Sequence, residues 1–533
     1  MPDPVDRLRA SVGIGLPLYL GVVEALGAVE VLGSGRVRES DVVEATGLAP
    51  RQLDLLWDAL GASFDDVNGR RRREVSIPTD AVASLRVGFD DRRRRLESRA
   101  DAGALRARLG PLIASLPAAK ADFDQVPATV DTLVARVQHL DRTWDLHNCN
   151  ILFLGDHDGT SVALAAMLPD VCDLSVVDAD HDLLARLRAV FAGLRADNLA
   201  VDPVDIGPIR SAAFADLRIG LPAPAQQASD LVVTDPPYTP DGVGLFLRAA
   251  RHALKPGTSS RIVLHYGASV LTPGLIRGVQ QEILNAGLVV EELLRGFSRY
   301  RGAYAIGARS DLYVLRPVGS ALSSSPPSTW AIYSHGSQAK ESACAEEPTS
   351  PSTLSGQQIA ALLDAPDATD FPPEPALTRR HGHLLVQVLM AARGRPHSLT
   401  CDNDSAGLRN AVEQRDLRDA ISGQYDLAQI ERSVDGGRLT RLRLLRRAST
   451  ERTPWSTVSM RPHSRLTSSI ADALIGWQEP AGVVLTKRTA KVVAQQIGSD
   501  LGLGAYRLVD LETSCILSVR SRLAVFRRDL PPG

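Results

Sequence analysis

The sequence predicts an α/β fold built on a mostly parallel sheet. Three observations predict it. Between residues 150 and 316, short β-branched and apolar runs alternate with segments of helical spacing. Several of these runs stop at a Gly or an Asp, the residue types that meet ligands at the carboxyl edge of an open sheet. A chain of 533 residues is also too long for one core, so further domains are expected on either side of the sheet.

In chain order, residues 1–90 read as a small helical module. Leu16 to Leu32 is apolar at helical spacing, Glu39 to Gly47 is a helix stopped by Gly, and Pro50 opens a helix through Ala62. Asn68-Gly69 then turns a hairpin between Asp65-Asp66-Val67 and Arg70 to Ile77. This is a winged-helix-like pattern. The acidic residues Asp41, Glu44, Asp54 and Asp58 favour packing over DNA binding. Residues 91–146 form a helical connector. Arg92 to Arg95 reads as a solvated face, and Thr129 caps a helix whose Val130, Leu133, Val134 and Val137 share one face.

Residues 147–317 carry the sheet. The strands are Ile151–Leu154, Leu174–Val177, a third ending at Asp216 (Asp205 is the alternative), Leu231–Thr234 and Arg261–His265. A closing hairpin pairs Val289–Arg295 with Leu312–Arg316. Residues 318–355 are a Ser/Pro-rich linker, though Thr329-Trp330-Ala331-Ile332-Tyr333 is apolar enough to dock on a domain. Residues 356–533 form a C-terminal α+β domain. Gly356–Leu363, Arg380–Ala392 and a segment opened by Thr486 read as helices, and Leu439–Leu445 and Cys515–Val525 as strands. His381, His383 and Asp402-Asn403-Asp404 read as a capped helix and a turn rather than metal ligands.

The chemistry is concentrated at the strand ends. Asp235-Pro236-Pro237-Tyr238 ends the fourth strand. The prolines restrict the turn, so a carboxylate and an aromatic ring are held in one geometry. Such a turn suits an amine nucleophile: Asp235 and the Pro236 carbonyl accept its N–H bonds, and Tyr238 lies against a planar base or a cation. The first strand ends in Gly155-Asp156-His157-Asp158-Gly159. A nucleotide-binding turn uses glycines for close backbone approach, and Gly155 and Gly159 are in place. Asp156 and Asp158 beside Asp235 would repel one another unless a cation joins them, so a cationic ligand such as a sulfonium or a polyamine is expected. The alternative is that both aspartates cap the next helix. Asp178, after the second strand, can accept both hydroxyls of a ribose. This strand order is that of the class I S-adenosylmethionine-dependent transferase fold, which is Rossmann-like.

Composition excludes other classes. The chain is 44% hydrophobic and 23% charged with a formal net charge of −2, so no global basic bias draws it to nucleic acid. No stretch reaches the about 18 apolar residues of a membrane span. The start of the chain lacks the layout of a signal peptide. Five cysteines without CxxC spacing point to free thiols in a reducing cytoplasm and to no zinc site.

Gly155-Asp156-His157-Asp158, Asp178, Ala215-Asp216-Leu217-Arg218, Thr234 to Gly242 and the lead-in Phe123-Asp124-Gln125 together resemble the branched-chain polyamine synthases. These are the N(4)-bis(aminopropyl)spermidine synthases of thermophiles and their homologues. The resemblance covers about residues 1–316 and omits the C-terminal domain. It implies decarboxylated S-adenosylmethionine as co-substrate, a polyamine such as spermidine or another small amine as acceptor, release of methylthioadenosine, and no metal. It implies catalytic roles for Asp156, His157, Asp158 and Asp235, and co-substrate contacts from Gly155, Asp178, Asp216, Pro236 and Tyr238. The family run is Gly-Asp-Asp-Asp, and His157 replaces its middle carboxylate. A histidine there could take the amine proton near neutral pH. Two other classes compete. One is an S-adenosylmethionine-dependent amino-group methyltransferase on nucleic acid or a small amine, which shares Asp-Pro-Pro-Tyr. The other is a regulator that senses a polyamine or nucleoside. A homodimer is compatible with each reading.

Overall fold

The computed structural model describes residues 3–28, 36–66, 73–98, 102–147, 149–169, 172–198, 210–257, 259–267, 272–302, 308–319, 332, 353–364, 374–378, 381–395, 398–403, 405–434, 439–447, 453–476 and 486–526. The Asn68-Gly69 turn, Asp205, Asp404 and most of the Ser/Pro-rich stretch lie outside these residues.

The N-terminal module has helices Pro4–Val12, Leu16–Leu20, Val22–Ala28, Glu39–Thr46 and Pro50–Leu60. Its sheet runs in the order β1 (Arg36–Arg38), β3 (Arg73–Ser76), β2 (Ser63–Asp66), all antiparallel. Gly47 stops its helix at φ 71°, a left-handed conformation that needs no Cβ. Leu53, Leu56, Trp57 and Val75 are buried in a core of its own. The long helix Thr79–Ser98 follows. Arg92 is not on a solvated face, as its charge run suggested. It is buried, and its Nη2 donates to the carbonyls of Asp141 (2.5 Å), Arg142 (3.1 Å) and Trp144 (3.3 Å). It thereby satisfies carbonyls at the end of the helix Val130–Thr143, which lack partners within that helix.

The central sheet has seven strands in the order β6-β5-β4-β7-β8-β10-β9. These are β4 (Cys149–Leu154), β5 (Cys172–Asp178), β6 (Arg210–Phe214), β7 (Leu231–Thr234), β8 (Arg261–Tyr266), β9 (Leu288–Arg299) and β10 (Arg309–Pro317). The first five are parallel; β10 pairs antiparallel with β8 and β9, the expected closing hairpin. Helices Thr160–Met167, His181–Asn198, Pro240–Ala253 and Pro273–Asn285 alternate with the strands. This is the class I transferase topology that the strand order predicts. All four residues of β7 are buried, a fully covered strand, as its unbroken Leu-Val-Val-Thr run requires. The chain leaves β4 for β5 on one side and returns to β7 on the other, so the crevice opens at the carboxyl ends of β4 and β7.

The C-terminal region holds helices Gly356–Asp364, Leu385–Ala391, Ala411–Ile421, Pro454–Ser459, Leu466–Gly476, Lys487–Leu501 and Thr513–Phe526. Its sheet runs β11 (Ala376–Leu377), β12 (Ser398–Asp402), β14 (Leu439–Arg446), β13 (Tyr425–Val434). The expected strand Cys515–Val525 is instead the last helix. The buried residues Cys515, Ile516, Val519 and Leu523 recur at helical spacing, and the β-branched content misled the reading. The apolar core of this region is continuous with one face of the central sheet through Phe214, Leu384, Leu511 and Ile516. Among the described residues no helix is long and apolar enough to cross a membrane.

Candidate functional site

A cavity of about 480 Å³ opens at the carboxyl ends of β4, β5, β6 and β7. Every expected site residue lines it: Gly155, Asp156, His157, Asp158, Asp178, Asp216, Asp235, Pro236 and Tyr238. Local sequence explains the shape. Gly155 (φ 70°) turns the chain out of β4, and Gly159 (φ 83°) starts the next helix. A Cβ at Gly159 would stand 2.7 Å from the Ile113 side chain and 2.9 Å from that of Leu116, so both tips would have to shift, and the positive φ strains any side chain there.

The cation that joins the clustered carboxylates belongs to the protein itself. Arg136, on the helix Val130–Thr143, is 1% exposed. It pairs with Asp158 and donates to Asp235 Oδ2 (3.0 Å), Thr160 Oγ1 (2.9 Å), Ser298 Oγ (3.1 Å) and the Tyr300 hydroxyl (2.8 Å). This corrects the inference that repulsion there must be relieved by a cationic ligand. Burial alone would lower the guanidinium pKa, but Asp158, Tyr300 and Asp235 hold it above the ordinary range.

The carboxylates then differ in what they have left to give. Asp156 is 2% exposed and accepts the Ser161 amide (3.0 Å) and hydroxyl, capping the helix Thr160–Met167. Burial, with Asp158 and Asp178 nearby, pushes its pKa well up. Asp158 is 7% exposed and accepts the Thr160 amide (2.9 Å) and hydroxyl (2.8 Å) besides Arg136. Asp235 is more open, with its side chain 17% exposed. Its Oδ2 accepts from Arg136 and from the Tyr300 hydroxyl at 2.5 Å, while its Oδ1 accepts the Tyr238 hydroxyl at 3.1 Å. A carboxylate oxygen has two lone pairs, so Oδ1 retains acceptor capacity toward the cavity. Burial raises the Asp235 pKa, Asp158 adds to this, and Arg136 and Tyr300 oppose it. The Tyr238 ring packs edge-on to Tyr266 at 5.3 Å.

His157 is arranged differently from a proton acceptor. Its Nε2 donates to the Pro117 carbonyl at 3.2 Å, and its Nδ1 is sealed from solvent with no partner. A proton added at Nδ1 would be buried unsatisfied, and burial lowers the pKa accordingly. The ring therefore anchors the segment 117–126 over the cavity. Lys120 Nζ reaches Asp180 (2.5 Å) and Asp182 (2.7 Å), and Gln125 Nε2 reaches Asp180 (2.9 Å), holding the same segment.

On the other side of the cavity, Asp178 accepts the amides of Asp156 (3.2 Å) and Asp180 (2.8 Å). Burial pushes its pKa up to about 6. Asp216 accepts the Arg218 amide (2.9 Å), its guanidinium (Nη2 at 2.7 Å) and His383 Nε2 (2.8 Å). Burial opposes ionisation there, yet Arg218 and His383 hold the carboxyl well below the usual range. Its acceptor capacity is used within the protein, so it reaches a ligand as part of the cavity wall rather than through a free carboxylate oxygen. Ile332 completes the wall. It is 2% exposed, packs with Phe123, Leu217, Leu245 and Phe246, and accepts the Thr239 hydroxyl at 2.6 Å on its carbonyl. Of the apolar linker stretch, Ile332 lies within the described residues, and it docks on the cavity's wall. Among the described residues no group of three or more His, Cys, Asp or Glu is placed to hold a metal.

Sequence reading missed Arg136, Tyr300 and His383. Arg136 left a signal: it lies three residues after Leu133 and four before Leu140, inside a buried helical stripe where an arginine demands partners. Tyr300 arrives from the end of β9, bridged to Ala128, and His383 from another domain; neither left a local signal.

A family model described as the branched-chain polyamine synthase A C-terminal domain matches residues 107–316. The chain is 29% identical over 197 residues to an N(4)-bis(aminopropyl)spermidine synthase of Methanocaldococcus jannaschii, covering 36% of this chain and 52% of that protein. It is 33% identical over 181 residues to the protein of that name from Thermococcus kodakarensis, covering 33% of this chain and 47% of that one. The chain therefore spans about half the length of these curated relatives. A crystal structure of the branched-chain polyamine synthase from Thermus thermophilus, in complex with N4-aminopropylspermidine and 5'-methylthioadenosine, is similar with a TM-score of 0.36 and 22% identity, covering 61% of this chain and 95% of that one. Over residues 107–316 the chain resembles the branched-chain polyamine synthases.

Proposed function

We propose that this chain is an aminopropyltransferase. It moves a 3-aminopropyl group from decarboxylated S-adenosylmethionine to an amine of a polyamine such as spermidine and releases methylthioadenosine. The observation that carries this reading is Asp235: one carboxylate at the switch point with an oxygen still open to the cavity, backed by Tyr238, Tyr300 and Arg136. The names of the matched relatives support the same reaction.

The acceptor nitrogen must be neutral to attack. Asp235 Oδ1 takes an N–H bond of the amine, the Pro236 carbonyl takes a second, and the lone pair is aimed at the methylene beside the sulfonium. The C–N bond forms as the C–S bond breaks, and its electron pair stays on sulfur as the neutral thioether leaves. The amine proton passes to Asp235, whose pKa is raised by burial. Tyr238 flanks the cation. In this reading Asp156 and Asp158 shape the loop by capping the helix that follows it, and His157 is a loop anchor. Asp178 accepts the ribose hydroxyls, and Gly155 lets the nucleotide approach the backbone. Asp216 shapes the wall on the co-substrate side.

We read residues 1–90 as a winged helix used for packing, 91–146 as a connector, 147–317 as the catalytic domain, 318–355 as a linker and 356–533 as an added α+β domain. The hairpin that follows the N-terminal helices, with its separate core, supports the first assignment. Calorimetric binding of decarboxylated against intact S-adenosylmethionine tests the function. Preference for the decarboxylated form is expected; preference for the intact form would turn the reading to methyl transfer.

A further inference from the structure

Two loops on the nucleotide side of the cavity are held by residues that lie outside the matched segment 107–316. The loop after β6 carries Asp216, and His383 Nε2 donates to its Oδ2 at 2.8 Å. β5 ends at Asp178, and the loop after it runs into His181, whose Nδ1 donates to Glu512 Oε2 at 2.8 Å. Glu512 also pairs with Arg188 on the same helix and accepts the Ser514 hydroxyl at 2.5 Å. It is 2% exposed, and His181 and Arg188 bring its pKa down to about 2 against the pull of burial.

These contacts form one assembly. Phe214, the last residue of β6, stacks on His181 with centroids 4.4 Å apart and planes 3° from parallel. His383 meets the same ring edge-on at 5.9 Å. Within the C-terminal domain, buried Gln387 Nε2 donates to the Leu511 carbonyl at 3.1 Å, tying the helix after His383 to the residue before Glu512. Leu217, between Asp216 and Arg218, packs against Ile332 of the linker. His181, Phe214, His383, Gln387 and Glu512 do not line the cavity, and their contacts lead to the chain beside Asp178 and to the Ala215–Leu217 wall.

We infer that the C-terminal domain is a positioning element for the nucleotide half of the cavity, with His383 and Glu512 as its positioning residues. The inference rests on the nucleoside reading of that half. The domain sets affinity for the nucleoside-bearing co-substrate and leaves the amine half, built around Arg136, unchanged. A buried charge-assisted hydrogen bond that fixes a binding loop governs affinity through the loop it holds.

The test is calorimetric titration of the full chain with methylthioadenosine, together with steady-state KM values for the sulfonium donor and for spermidine. In His383→Ala, nucleoside affinity and donor KM should each worsen by about tenfold while spermidine KM stays within about twofold. His383→Gln keeps a side-chain N–H donor and should recover most of the loss. Glu512→Gln, which does not line the cavity, should shift the same two quantities in the same direction, and it decides the matter should the alanine variant not fold. The inference is overturned where the unsubstituted chain binds the nucleoside and Glu512→Gln binds it equally well, or where donor and spermidine KM worsen together. If the unsubstituted chain binds no nucleoside, the functional reading falls first and the inference with it.

Discussion

The two halves of the cavity, which we propose take the amine and the nucleoside, solve one problem in opposite ways. Both crowd carboxylates at strand ends, where they would repel. The amine half is neutralised from within: Arg136, on a neighbouring helix of the matched segment, bonds Asp158 and Asp235 at once. The proposed nucleoside half is held in part from outside that segment: Lys120 over Asp180 lies within it, but His383 on Asp216 does not. A charge supplied by the same fold cannot be withdrawn without unfolding it. A hydrogen bond supplied by another domain, as His383 supplies to Asp216, can be altered while that fold stays intact.

The sharpest way to break the comparison is Arg136→Met. It leaves two buried carboxylates without their cation, and the chain should lose about 3–5 kcal/mol of stability along with turnover. Urea unfolding read beside a rate assay checks this. An unchanged midpoint would mean that the amine half is not neutralised by Arg136. Next, Asp235→Asn keeps the shape but takes no proton. We expect turnover to fall by about 10²–10⁴-fold with nucleoside affinity retained, measured by single-turnover rates and calorimetry. Loss of nucleoside binding in that variant would merge the two halves.

The pH dependence sharpens the contrast. Asp178 is raised from 3.8 to about 6 by burial, and only its ionised form accepts two hydroxyl bonds. Nucleoside affinity should therefore rise by about tenfold from about pH 5 to about pH 7, and Asp178→Asn should flatten the curve. The sign for stability is opposite. A raised carboxyl favours the protonated folded state, so Asp178 disfavours folding increasingly as pH climbs from 3.8 toward about 6. The smallest effect belongs to Lys120→Ala. Its side chain is one-third exposed, and solvent screens the pair, so a two- to threefold loss (about 0.5 kcal/mol) of nucleoside affinity is expected by calorimetry.

What was legible in the sequence follows from the same contrast. The Asp235 turn, the Gly155–Gly159 loop and Asp178 are consecutive residues at strand ends, where periodicity and prolines announce them. Arg136 was legible only in principle, as an arginine in an apolar stripe, because its partners are 22 and 99 residues away. His383 was unreadable: its bond to Asp216 spans 167 residues and two domains. His157 is the converse case, a residue that we propose acts as a loop anchor. Its identity suggested proton transfer, and only the Pro117 carbonyl at Nε2 reveals an anchor. The helix Thr513–Phe526 was misread for a related reason, since β-branched content outweighed the spacing of its buried residues.

One consequence reaches beyond catalysis. β6 is the outermost strand on its side of the sheet. An outer strand offers unpaired backbone groups to any passing chain, and parallel sheets fold slowly enough for that offer to be taken. Here the Ala212 carbonyl accepts from Arg188 of the helix His181–Asn198 at 2.9 and 2.6 Å, and Glu512 of the C-terminal region pairs with that same arginine. The C-terminal region thus also steadies the arginine that occupies this outer edge, a second task beside the loops it holds.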